Sequence, residues 1–209
     1  MAKTDPRAAM TGTGWQCQIG NKSADYPGWL PQLAALYPRR LWWWRNEPEV
    51  RNGIKIPSGL PDYGCTLDGH PILIECKHTS NKASVQLGRL IKNPDRDTPE
   101  EGVSWIQAAN MDSATLAGWA CFVAVRLEVS AATLRKASQV RLDGTGADMP
   151  PVICRLVPWP AWRALMAAAE DARRRGQEPQ ASIPAADLAA MGWPCRNAAE
   201  LLAAIRGAP

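Results

Sequence analysis

Apolar residues recur along this chain in two rhythms, and each rhythm predicts a different kind of element. Between Ser23 and Tyr37, Trp29, Leu30, Leu33 and Leu36 fall at helical spacing behind Pro27, which suits a first turn, and Pro38 stops the run. Ile54-Lys55-Ile56-Pro57 reads as a strand, as does the continuous apolar run Ile72-Leu73-Ile74. A second helix is predicted from Ser104 to about Ala117, closed by Gly118, followed by a buried strand over Ala120–Leu127. Further on come strand-like pieces at Gln139–Leu142, a short strand over 152–157, and a helix from Pro158 to Arg175. Trp162, Leu165, Met166 and Ala169 share one face of that helix. The step Ser182-Ile183-Pro184 and a helix over Ala198–Ile205 complete the chain. Helix, strand, hairpin, helix, strand gives a small mixed sheet flanked by helices, an α/β class.

The hairpin carries the chemistry. Asp68-Gly69 is a strong two-residue turn signal, because a type I′ turn needs positive φ at both central positions. With that turn Leu67 faces His70, and continuing the register sets Asp62 directly across from Glu75. Opposed residues sit about 4.5–5.5 Å apart at Cβ, and Lys77 shares the face of Glu75. Two opposed carboxylates repel, and a bound cation removes the penalty. Paired Asp and Glu oxygens suit Mg²⁺ or Mn²⁺, and a neighbouring ammonium can orient a water or offset phosphate charge. The plain alternative is a solvated surface hairpin with Lys77 as an ion-pair partner. Pro71 has no N–H for a ladder, so it belongs near a strand end or on an edge.

Pro61-Asp62, twelve intervening residues, then Glu75-Cys76-Lys77 resembles the PD-(D/E)XK nuclease signature, most closely that of RecU-type Holliday junction resolvases and their phage relatives. Asp62-Tyr63-Gly64, Gly69, His78-Thr79, Leu87 and Gln107 fall where that family has similar residues. The resemblance is specific over 59–79 and loose from about Asn46 to the C-terminus. It implies a restriction-endonuclease-like fold and a metal-dependent endonuclease acting on branched or four-way-junction DNA as a homodimer. It implies Asp62 and Glu75 as Mg²⁺ (or Mn²⁺) ligands with the Cys76 carbonyl as a third, Lys77 at the water, and Gln107 as an orienting residue. Ser104 and Gln107 also form a capping-box pattern, in which the amide serves only the helix end. RecU-like enzymes carry a further Glu on their first helix. This chain departs there and offers only Asp25, Glu47 or Glu49. The alternatives are another nuclease of the superfamily, restriction- or VRR-type, or a nuclease-fold DNA-binding or phage accessory protein that has lost cleavage.

Composition narrows the picture modestly. The 209 residues suit one nuclease core over 23–157, with a flexible arm over 1–22 and a C-terminal helical extension over 158–209. Net charge is +4, compatible with nucleic acid. Lys3, Arg7 and Lys22 in the arm and Arg173-Arg174-Arg175 are possible phosphate contacts or plain solvated charge. Arg39-Arg40-Leu41-Trp42-Trp43-Trp44-Arg45 interleaves cations with aromatics. It suits base stacking, or a strand with alternate Trp in the core. Six scattered cysteines with no C-x-x-C pair argue against structural zinc. No apolar run reaches the length of a membrane span or signal core, so a cytoplasmic, reduced protein is expected. Only two histidines, His70 and His78, leave little room for histidine-based catalysis.

Overall fold

The computed structural model describes residues 16, 18–20, 27–46, 49–51, 54–56, 59–91, 101–142 and 149–207. Its centre is a hairpin of β4 (Tyr63–Leu67) and β5 (His70–Lys82). Asp68 and Gly69 take φ of 55° and 86°, the two left-handed positions a type I′ turn requires. Arg40 caps this turn with an ion pair to Asp68. The ladder runs from Leu67 opposite His70 to Tyr63 opposite Ile74, the register that sets Asp62 against Glu75. Pro71 is the second residue of β5, opposite Thr66, and the pairing of β5 with its other neighbour starts only at Ile72. Its missing N–H therefore costs the ladder nothing.

β5 runs parallel to β7 (Ala120–Val129), and the crossover between them carries α2 (Trp105–Leu116). On the other side β1 (Leu41–Arg45) pairs antiparallel with β4 and forms one edge of the sheet. β8 (Val152–Pro158) pairs antiparallel with β7, and β10 (Trp193–Pro194) closes the far edge. The sheet order is β1-β4-β5-β7-β8-β10, five antiparallel or parallel joints in one mixed sheet. Two small ribbons stand apart: β2 (Glu49–Arg51) with β3 (Ile54–Ile56), and β6 (Ser84–Gln86) with β9 (Ser182–Pro184).

Alternation along the strands loads both faces, so each needs a helical cover. One face sends Tyr63, Cys65, Ile72, Ile74, Phe122 and Leu156 against α1 (Trp29–Leu36) and α6 (Ala198–Gly207). The other sends Leu73, Val123, Val125 and Val157 against α2 and α4 (Trp159–Arg174). α5 (Ala185–Ala190) joins this second layer through Ala185 and Leu188. The result is a mixed α/β sheet flanked by helices, the expected class.

Several expectations are corrected. Gln139–Leu142 is not a strand but the end of α3 (Ala131–Leu142), whose start is held by Ser130 Oγ accepting from the Thr133 N–H at 3.2 Å. Residues 158–209 are more than a helical extension, because β10 is a strand of the main sheet and Leu201 and Ile205 fill its first layer. Within the expected arm, residues 16 and 18–20 are helical and Ile19 is fully buried in that layer, so this part is held by packing. The rest of the arm, with Lys3, Arg7 and Lys22, lies outside the described residues. Leu36, placed on the buried stripe of α1, is exposed at its end. Arg173 and Arg175 pair with Glu170 and Asp171 of their own helix. The five described cysteines, 65, 76, 121, 154 and 195, are buried free thiols. Among the described residues no helix is long and apolar enough to cross a membrane.

Candidate active site

Asp62 stands immediately before β4, and Glu75 and Lys77 stand two apart on β5, so one sheet face holds all three. Glu75 is 1% exposed, a carboxylate inside the buried run 72–76 of β5. Its Oε1 lies 2.6 Å from Lys77 Nζ and accepts from Gln107 Nε2 at 2.8 Å; its Oε2 accepts from the Asp62 N–H at 3.3 Å. Asp62 Oδ2 accepts from the Cys76 N–H at 2.8 Å, and Oδ1 accepts from Gln16 Nε2 at 2.8 Å. Asn46 braces the segment from outside, donating Nδ2 to the Pro61 carbonyl and its N–H to the Asp62 carbonyl.

Both carboxyl groups are pushed above their usual range. Burial raises Glu75 from 4.5 to about 7; Lys77 opposes this and Asp62 adds to it. Burial also raises Asp62, offset in part by the Cys76 N–H and Lys77. The fold thus spends desolvation energy on a carboxylate pair for which one ammonium is incomplete compensation. The donor set fits a hard divalent cation: two carboxylates on one face, with remaining positions open to water and a phosphate, as Mg²⁺ and Mn²⁺ prefer. Among the described residues no group of three His, Cys, Asp or Glu side chains gathers here. The Cys76 thiol packs into the opposite layer, so only its backbone belongs to the site.

Gln107 serves both roles that its position allows. Its Oε1 accepts from the Ser104 N–H at 3.1 Å and its own N–H donates to Ser104 Oγ, completing the capping box of α2. The other end of the same amide holds Glu75. Replacing Gln107 with Ala is expected to raise the Mg²⁺ concentration giving half-maximal thermal stabilisation about tenfold. Ser104→Ala keeps the Gln107 amide but removes the hydroxyl that donates to its Oε1, so a smaller rise is expected, and melting curves across a Mg²⁺ titration compare the two.

Sequence reasoning missed Gln16. Its signal is thin: Trp15 and Ile19 stand four apart, a helical spacing in a stretch otherwise without period. Tyr63 anchors this segment by donating its hydroxyl proton to the Gln16 carbonyl at 2.8 Å. Of the three acids considered for a further ligand, Glu49 lies on β2, and Asp25 and Glu47 lie outside the described residues.

No protein-family model matches the chain, and neither does any curated protein. Among solved structures, the Holliday junction resolvase Hjc of Archaeoglobus fulgidus aligns at 15% identity with a TM-score of 0.31, over 62% of this chain and 72% of that one.

Proposed function

We propose that this protein is a metal-dependent endonuclease of RecU-like type that hydrolyses phosphodiester bonds in branched DNA. The observation that carries the reading is the directly opposed Asp62–Glu75 pair, Glu75 buried and Asp62 half-buried, with Lys77 Nζ 2.6 Å from Glu75. A hairpin does not hold two desolvated carboxylates together for stability, since like charges there oppose folding. Asp62 and Glu75 would hold Mg²⁺ or Mn²⁺, with the Cys76 carbonyl as a third protein oxygen. When bound, the cation supplies charge stabilisation at the phosphate and a more acidic water. Lys77 orients the attacking water and balances charge on the phosphate. Gln107 and Gln16 fix the two carboxylates so that little reorganisation is left for the reaction. A four-way junction needs two symmetric cuts, which a homodimer supplies.

The test is a labelled synthetic four-way junction and a matched linear duplex, with Mg²⁺ or EDTA, using wild type and Asp62→Asn. Paired nicks in the junction alone, lost with EDTA and with the variant, are expected. Cleavage of both DNAs points to a restriction- or VRR-type enzyme. Binding without cleavage in either Mg²⁺ or Mn²⁺ overturns the enzyme reading. One observation favours that last outcome. The residue reaching Asp62 from the N-terminal helical segment is the neutral Gln16, and among the described residues no further carboxylate joins the pair, whereas RecU-like enzymes carry a Glu on their first helix. On that reading the chain is a nuclease-fold DNA-binding protein, and Gln16→Glu is the variant to restore cleavage.

A further inference from the structure

The tryptophans of β1 divide by face. Leu41 is buried, and Trp43 packs toward the first layer with its ring 6.2 Å from that of Tyr63. Trp42 and Trp44 stand opposite Thr66 and Gly64 of β4, and therefore on the face that carries Asp62, Glu75 and Lys77. Their ring centroids are 5.1 Å apart at an interplanar angle of 35°. Trp42 is 67% exposed, so core packing does not explain it.

Trp44 is seated rather than merely placed. A Cβ on Gly64 would lie 2.0 Å from Trp44 Cζ2, so the indole covers that backbone and only glycine leaves it room. Trp44 Nε1 donates to Asn46 Oδ1 at 3.1 Å, and Asn46 in turn holds the Pro61 and Asp62 carbonyls. The orientation of this ring is thereby tied to the segment that positions Asp62. Along the strand, Trp44 and Trp42 stand roughly 7 and 13 Å from the level of Asp62. Arg39 is exposed just ahead of the strand, beside Arg40 in its ion pair with Asp68, and Arg45 ends it, which places cations along the same edge.

We propose that Trp42 and Trp44 form a stacking platform for an unpaired nucleobase of the substrate, beside the candidate active site. This rests on the nuclease reading and deepens it by naming the substrate class: nucleic acid with bases freed from pairing near the cut. A rigid indole with an open face suits the flat surface of any base, and the flanking arginines suit its backbone. A continuous duplex hides those faces along its length, whereas a junction, flap or frayed end presents them.

The experiment is run in EDTA, so binding is read without cleavage. The probes are a duplex with a single-stranded arm, 2-aminopurine at the first unpaired position, and a matched fully paired duplex. Wild type, Trp42→Ala and Trp42→Phe are compared by anisotropy and by 2-aminopurine emission. Wild type should quench the probe, and Trp42→Ala should bind the armed DNA about tenfold more weakly. Trp42→Phe should retain most of both signals, and the paired duplex should not distinguish the three proteins. Equal affinity of all three for the armed DNA, or equal loss on both DNAs, overturns the platform. So does sedimentation showing that Trp42→Ala dissolves a dimer, which would assign the indole to a second copy of the chain. If wild type fails to cleave any DNA in Mg²⁺ or Mn²⁺ while the armed-DNA preference stands, the nuclease reading falls and the platform does not.

Discussion

Lys77→Ala is expected to lower junction cleavage by about two to four orders of magnitude while leaving junction binding in EDTA intact. Two effects combine. The ammonium 2.6 Å from Glu75 is lost from the place where it would orient the attacking water. It is also the largest influence holding Glu75 down against burial, so without it Glu75 moves above about 7 and gives up less readily the proton a metal must displace. The effects separate with pH. Raising the pH ionises Glu75 again and restores Mg²⁺ binding, seen as thermal stabilisation, but it does not restore the missing ammonium. Cleavage by Lys77→Ala should therefore stay low at pH 9 even where Mg²⁺ stabilises the variant. Residual cleavage within tenfold of wild type would remove Lys77 from the mechanism.

The second large effect is on stability. Glu75 moves from an ordinary 4.5 to about 7 on folding. Between those values the native state binds a proton that the unfolded state has released, so metal-free stability falls as pH rises across that window. Above it, the folded protein carries an ionised, buried Glu75 at a cost. Glu75→Gln removes that cost and should be more stable than wild type at pH 8 in EDTA by about 2 kcal/mol, a rise of several degrees in Tm. The difference should shrink as the pH is lowered toward 5. Mg²⁺ at pH 8 should raise the wild-type Tm and leave Glu75→Gln unmoved. Melting curves from pH 5 to 8, with EDTA or Mg²⁺, give all of these values. A variant no more stable than wild type at pH 8 in EDTA would mean that Glu75 is not held at a cost.

The centre of the site was legible in the sequence because its geometry is local. A two-residue turn fixes register, and register alone sets Asp62 against Glu75 and Lys77 beside it. Gln107 was legible as a capping residue from Ser104 three positions earlier. Its contact with Glu75 needed the parallel crossover that lays the start of α2 over β5. Gln16 was not legible, because no spacing or turn chemistry marks a contact that joins residues 46 apart. The misread stretch was Gln139-Val140-Arg141-Leu142, whose alternation imitates a strand. The Ser130 cap nine residues upstream had already committed the backbone to a helix. β10 is two residues long, too short for any period, and exists because β8 offers it an edge. The Trp segment needed the structure for a simpler reason: alternation sorts Trp42 and Trp44 from Trp43, but only the exposure of Trp42 shows which side is left open.

The parts of the site arrive from very different sequence separations: 13 residues from Asp62 to Glu75, 32 from Glu75 to Gln107, and 46 from Gln16 to Asp62. Loop-closure entropy favours forming the nearest pair before the farthest. A nascent chain that has closed only its hairpin holds both carboxylates in water, with the acidity of any surface Asp and Glu and a weak grip on divalent ions. The perturbed pair emerges only after the crossover helix and the N-terminal segment have docked. On the proposed nuclease reading, maturation of the fold would act as a safety catch, with an unfinished chain expected to cleave no nucleic acid.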